Sequence, residues 1–593
     1  MSVNDFTVQL DVRQQSLSSN IPPESVDGLL IWWSGYFANM GDLVARLNCS
    51  RSIDMIATAY RRWGRRLSEQ IEGEFAIAII DPKAATVSLM QDELALRPVF
   101  YRCMIGSIEF GTDLVELTEF GELDEIDEEY VADKLVTGDH FGAKTPYASI
   151  RRLTTGQALE WTPSGEKLIE CSTLLQDDEI FPGSFGEVDE RFRELVSSAV
   201  QSALVPSAPA LCELSGGLDS STVFGFSNAI APGRISALST IYSRSKSADE
   251  SYWISRMLAH CEAPLLTVDG DEFGHCTELP AGRHAEPSLL MLKAAWKRAY
   301  RSVLKTCEAA TVLTGEGGDA VLYGDCPQPL YLADLLLKGR LWSMWAGAAN
   351  WGSGERGTRS PLYATARYAI RPAVRYLRGQ RLLTLSERVP WLDPGYARKI
   401  DAEHRFLKLD DFSGADNIAR ASRLQLVMVS ARNAGTYYRM LSEDVPFRHP
   451  LLNRSLLRFM LSLPHDQRFT PTRDRIVQRR ALEKIVAPSI LQRDSKGGSS
   501  EPWIRGLEDC DTWPDFVTTD PMLVSRGYFD RQAWFAAVEF ATVGRFGAKK
   551  YFDAACEMEA WLQADRAWRS DRQPQPRWNK LVGYRSKLEI GAV

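Results

Sequence analysis

The sequence predicts a two-domain α/β protein: an antiparallel-sheet domain, then a doubly wound parallel-sheet domain with a large helical portion. Three observations predict it. The chain has 593 residues, too many for one core at roughly 100–200 residues per domain. Between residues 73 and 170, short β-branched and aromatic runs are separated by turn residues, the pattern of an antiparallel sheet. From Ala210 onward, strand-like runs alternate with helical ones, the pattern of a parallel sheet with helices on its faces.

In chain order, Ser52–Arg66 has helical spacing and a basic end. EFAIAIID, TVSLMQD and PVFYRC read as strands, and TGQALEWTPSGEKLIE as a hairpin turning at Pro163–Gly165. A helix is expected over Asp189–Leu204. The strands ALCEL, ISALSTIY, PLLTVD and AATVLTG then alternate with the helical runs SSTVFGFSNAI, ESYWISRMLAHC and LMLKAAWKRAYRSVLKTC. Beyond about residue 330 the chain reads as mostly helical to Leu562. The expected division is 1–185, 186–562 and a loosely held basic tail at 563–593. The sixteen tryptophans, Trp32, Trp33, Trp342 and Trp345 among them, are expected in the core or in interfaces.

Composition narrows the function classes. Hydrophobic residues make up 45% and charged residues 25%, which excludes a disordered chain. No run of 18 apolar residues occurs, so no membrane span is expected, and the N-terminus lacks the pattern of a signal peptide. Ten scattered cysteines without a CxxC suit reduced thiols in a cytoplasmic protein. The net charge of −8 is uneven: residues 1–130 hold 10 Lys/Arg against 22 Asp/Glu, so the remainder sums to +4. Binding of nucleic acid through bulk charge is excluded. Lys338–Arg381 holds nine basic residues and one acid, Glu355. It reads either as a solvated helical face or as a docking surface for a substrate peptide or partner protein.

The chemistry lies in three loops. Ser215-Gly216-Gly217-Leu218-Asp219-Ser220-Ser221 sits between a strand and a helix. Glycines admit a polyphosphate to the backbone, and the helix N-terminus supplies donors. Asp219 suits Mg²⁺ against those phosphates. The segment is not GxxxxGK[ST], so a Walker-type ATPase is disfavoured. Thr314-Gly315-Glu316-Gly317-Gly318-Asp319 follows the fourth strand, where ligands of open α/β sheets bind. Asp319 would hold metal and Glu316 act as base, although alone the segment reads equally as a plain acidic turn. Lys496, within Arg493-Asp494-Ser495-Lys496-Gly497-Gly498, is either a solvated surface group or a cation for developing negative charge.

SGGLDSS resembles the PP-loop of ATP pyrophosphatases, which cleave ATP between the α- and β-phosphates. With LTGEGGD, SEDVPFRHPLLNRSLLRFMLSLP and RDSKGGSSEPWIRG, the chain resembles the asparagine synthetase family over about residues 34–505. EGEFAIAIID, QDELALRPVFYR, FGTDLVEL and TPYASIRRLTTGQALEW resemble its class II glutaminase domain. The resemblance implies an N-terminal Ntn-type α-β-β-α sandwich and a PP-loop synthetase domain. It implies ATP and Mg²⁺, with Leu214, Ser215, Gly216, Gly217, Asp219, Ser220, Ser221, Thr240, Thr314 and Gly315 holding the nucleotide. Asp219 and Asp319 would hold the metal, and Glu316 and Lys496 would be catalytic.

The departures from the family are also informative. Its glutaminase uses an N-terminal cysteine, and position 2 here is Ser2. Its NGEIYN stretch appears as Ser34-Gly35-Tyr36-Phe37-Ala38-Asn39. A degenerate glutaminase domain is therefore expected. Of the branches that kept adenylation without glutamine hydrolysis, β-lactam synthetases carry tyrosine where this chain has Glu316. Val389-Pro390-Trp391-Leu392-Asp393-Pro394 resembles an element of lasso peptide cyclases. The expected function is ATP-dependent macrolactam formation on a precursor peptide, with a leader peptidase and a leader-binding protein as partners. The alternatives are a β-lactam synthetase-like cyclase, an ammonia-dependent asparagine synthetase and, last, a non-enzymatic scaffold.

Overall fold

The computed structural model describes residues 5–587 except 120–124, 140–141, 173, 175–179, 277, 279–282, 325–327, 354–359, 379–388, 408–416, 443, 494–496, 499, 510–512, 544–548 and 572–583. The first domain is two six-stranded antiparallel sheets stacked face to face. The strand Gly73–Asp81 shows why the run EFAIAIID is apolar throughout. Side chains alternate across a strand. Ala76, Ala78 and Ile80 enter the core between the sheets, with Trp32, Phe110 and Trp161. Phe75, Ile77 and Ile79 face the other way, against Leu43, Ile53 and Ile56 of the helices Met40–Leu47 and Ser52–Trp63. The other sheet is covered by the helix Glu128–Thr137 and the long helix Lys549–Asp571, whose Tyr130 and Trp561 join Phe100 in a third cluster. The layers run helix, sheet, sheet, helix, as expected.

Local chemistry adjusts the expected boundaries. The helix from Ser52 stops at Trp63 because Gly64 takes φ +59°, and a 3-10 segment continues to Glu69. The helix expected from Asp189 begins at Phe185, where Ser184 and Glu187 form a capping box. The hairpin pairs Gln157–Thr162 with Gly165–Glu170.

In the second domain a five-stranded parallel sheet has the order Leu265–Asp269, Ile235–Ile241, Ala210–Glu213, Val312–Leu313, Phe447–Arg448. Chain progression reverses beside Ala210–Glu213, so the topological switch point lies between the C-terminal ends of Ala210–Glu213 and Val312–Leu313. Ligands bind at such a point in open α/β sheets. The fifth strand, Phe447–Arg448, falls in the region that the sequence reads as mostly helical.

A correction concerns the expected tail. Residues 563–571 continue the helix Lys549–Asp571. Tyr584–Lys587 then pairs with Ser16–Ser19 as the edge strand of the first domain's sheet. These two stretches are held by helix and ladder hydrogen bonds, so they are not loose.

Candidate active site

The strand Ala210–Glu213 delivers the chain to Ser215 at the switch point. Gly216 takes φ +70°, and a Cβ there would lie 2.6 Å from the Cβ of Trp253, so the turn needs glycine. The Ser215 amide donates to Ser220 Oγ at 3.1 Å, and the two serine hydroxyls lie 3.0 Å apart. The helix Leu218–Ile230 starts inside this turn, aiming its free amides and positive dipole end at the cavity.

The second loop lies directly on the first. A Cβ on Gly315 would sit 2.6 Å from the Ser220 amide nitrogen, so only glycine permits that approach. The Glu316 amide donates to Thr314 Oγ1 at 3.2 Å, and that hydroxyl lies 2.8 Å from His449 Nδ1. Burial lowers His449 to about 4, which keeps the ring neutral at neutral pH. The Glu316 carboxylate accepts a 2.6 Å hydrogen bond from Ser430 Oγ on the helix Ile418–Leu441.

A cavity of about 470 Å3 opens between these loops. Leu214, Ser215, Gly217, Asp219, Ser220, Thr240, Gly315, Glu316 and Asp319 all line it. Three expected residues sit behind this lining. The Gly216 carbonyl accepts from Arg493 at 3.2 Å, while Ser221 and Thr314 are fully buried. Lys496 lies outside the described residues. Its neighbours are anchored at the cavity mouth: Arg493 pairs with Glu250, and the Gly497 amide donates to Glu250 at 2.6 Å.

Several site residues were not foreseen. Arg475, 5% exposed, forms ion pairs with both Asp219, at 3.1 Å, and Asp319. Gln478 adds a 3.1 Å hydrogen bond to Asp219. Mg²⁺ takes one or two carboxylates alongside phosphate oxygens, and Asp219 and Asp319, turned to one cavity and joined through one guanidinium, fit that donor set. No motif or spacing marks Arg475 or Gln478, because the fold alone brings them to Asp219. Glu213 ends the first strand and accepts hydrogen bonds from Tyr300 at 2.7 Å and Tyr438 at 3.1 Å.

Burial raises Glu213 to about 7. A carboxyl raised on folding favours the folded state fully below its unfolded value, and that contribution is lost as pH rises through 7. Glu213→Gln should therefore gain stability relative to wild type as pH rises from about 4.5 to 7. Denaturant titrations at several pH values measure this, and a constant difference would refute it.

The two domains meet beside this site. Glu74 of the first accepts from the His449 amide at 2.6 Å and from Tyr36 Oη at 3.3 Å. Tyr36 belongs to the altered Ser34–Asn39 stretch, so that segment now supports the wall behind Thr314.

Comparison with known proteins gives the lineage. The profile described as "Asparagine synthase" matches residues 191–564. The chain belongs to the asparagine synthase family. A "Glutamine amidotransferase domain" profile matches residues 39–170. Among curated relatives, "Asparagine synthetase [glutamine-hydrolyzing] 3" of Bacillus subtilis is 25% identical over 211 residues, covering 33% of each chain. A "Putative asparagine synthetase [glutamine-hydrolyzing]" of Mycobacterium bovis is 23% identical over 524 residues, covering 80% of this chain and 75% of its own. An amidase of Penicillium rubens is 22% identical over 361 residues, 56% of this chain and 52% of its own. Asparagine synthase-like proteins are ATP-dependent amide-forming ligases.

Proposed function

We propose that the protein is a lasso peptide macrolactam synthetase. It activates an Asp or Glu side chain of a precursor peptide as the acyl-adenylate. It then joins that carbonyl to the peptide's own α-amine, releasing AMP and pyrophosphate. The observation that carries the reading is a cavity lined by both glycine loops beside a first domain in which, among the described residues, no thiol lines the cavity where the domains meet. Among the described residues, Cys49, Cys103 and Cys171 do not line the cavity where the domains meet. Burial also raises the Cys103 and Cys171 thiols, away from the thiolate that a nucleophile requires. Ser2 lies outside the described residues. Ammonia from glutamine is thus not the supported nucleophile, and the substrate's own amine takes its place.

The residues divide the work. Leu214, Thr240 and Gly315 flank the nucleoside, and Ser215, Gly217 and Ser220 cradle the phosphates. Mg²⁺ at Asp219 and Asp319 would neutralise phosphate charge. The carboxylate oxygen attacks the α-phosphorus and pyrophosphate leaves, with Lys496 offsetting its charge. Glu316, held by Ser430, takes the proton as the amine attacks the carbonyl and AMP departs. Holding the peptide folded during closure supplies the orientation that a threaded ring needs.

The test is incubation with a candidate precursor peptide, its processing partners, ATP and Mg²⁺. The expected products are AMP, pyrophosphate and a peptide lighter by one water. Asparagine formed from aspartate and ammonium, with no peptide modified, would replace this reading by the ammonia-dependent one.

A further inference from the structure

The helices Tyr331–Leu337 and Leu341–Ser353 and the run Pro361–Leu377 form a unit that also carries large apolar side chains on its outside. Its buried seam sets Leu332 and Met344 among the small residues Ala333, Ala348, Ala364, Ala369 and Ala373. Several large apolar side chains nevertheless point outward. Trp342 is 83% exposed, Leu377 72%, Leu362 71% and Leu341 58%, and Ile370 and Val374 are exposed beside them. A helix that only packs on a core and otherwise faces water carries polar side chains on that outer face. Contiguous exposed apolar groups of this kind mark a contact surface.

The charge on the same unit has one sign. Residues 338–353 and 360–378 contain six basic side chains and no acidic one. Arg367, Arg371 and Arg378 are exposed, interleaved with Ile370, Val374 and Leu377. The face therefore cannot pair with a copy of itself, because the guanidiniums would meet. Protein–protein interfaces set an apolar centre inside a polar rim. Here exposed cations and apolar groups share one helix, so long arginine stems can lie beside the apolar groups while their heads reach lipid phosphates.

We propose that this face binds an anionic lipid bilayer peripherally. Trp342, Leu362 and Leu377 would enter the boundary between headgroups and acyl chains, and the arginines would meet lipid phosphates. Among the described residues no helix is long and apolar enough to cross a membrane, which suits a surface contact. The inference is independent of the ATP chemistry.

The test is sedimentation of the full chain with vesicles containing phosphatidylglycerol, and with vesicles of phosphatidylcholine alone. The protein should pellet with the anionic vesicles, be released by high salt, and stay in solution with the neutral ones. The triple variant Arg367→Glu, Arg371→Glu, Arg378→Glu, and separately Trp342→Ser with Leu362→Ser, should bind about tenfold or more weakly. Both should melt as wild type and keep ATP–pyrophosphate exchange without vesicles. Failure of the wild type to pellet with anionic vesicles would overturn the proposal without any variant. So would equal pelleting with neutral vesicles, or wild-type binding by either variant. Loss of peptide turnover in the arginine variant without vesicles, with lipid binding unchanged, would assign the face to a peptide instead.

Discussion

Glu316→Gln stops amide formation while ATP activation continues. The carboxylate lines the nucleotide cavity and is fixed by Ser430 Oγ at 2.6 Å. An amide of the same shape keeps that hydrogen bond but cannot take a proton from an attacking amine. General-base loss costs about 10²- to 10⁴-fold, so turnover to the closed product should fall in that range. Formation of the adenylate uses no proton on Glu316, so ATP–pyrophosphate exchange driven by the peptide should stay within a few-fold of wild type. Quenched reactions should then show peptidyl adenylate accumulating. If exchange and ring closure fell together, Glu316 would belong to nucleotide binding. If neither changed, it would have no part in the reaction.

Arg475→Met is expected to damage both stability and activation. Arg475 is buried and is shared between Asp219, whose side chain is 9% exposed, and Asp319, at 33%. Removing one partner of a buried ion pair leaves charge uncompensated, at about 3 kcal/mol. The variant should lose about that much in denaturant titrations. Mg²⁺ should recover part of the loss, since it offers the two carboxylates another cation. ATP–pyrophosphate exchange should fall about 100-fold, because Asp219 and Asp319, the proposed metal ligands, lose the guanidinium that positions them. Stability equal to wild type without Mg²⁺ would show that the aspartates do not depend on Arg475.

Both variants separate what is legible in a sequence from what is not. SGGLDSS announces itself because a strand, a glycine turn and a helix start within a few residues, and each constrains the others. GEGGD gains meaning only from its place after the fourth strand of the same sheet. Arg475 carries no such signal: it is one arginine in TRDRIVQRR, and only packing of that helix against the loop brings it to Asp219. Glu213 reads as the end of a strand, and the two tyrosines that surround it come from distant helices. The strand Phe447–Arg448 spans two residues between Pro446 and Pro450, too short for any alternation. The edge strand Tyr584–Lys587 reads YRSK, without the apolar period that betrays the interior strands. The capping box at Ser184 was present in the sequence, yet the turn residues Pro182 and Gly183 masked the helix start behind it.

That edge strand also bears on how the chain is made. Synthesis runs from the N-terminus at about 5–20 residues per second, and domains tend to fold as they emerge. The pairing of Ser16–Ser19 with Tyr584–Lys587 cannot form until residue 587 has left the ribosome. Until then, Ser16–Ser19 presents unpaired backbone groups at an open sheet edge, an invitation to intermolecular pairing. A late contact thus protects an early structure, and nascent chains stalled short of residue 584 are exposed to aggregation at that edge.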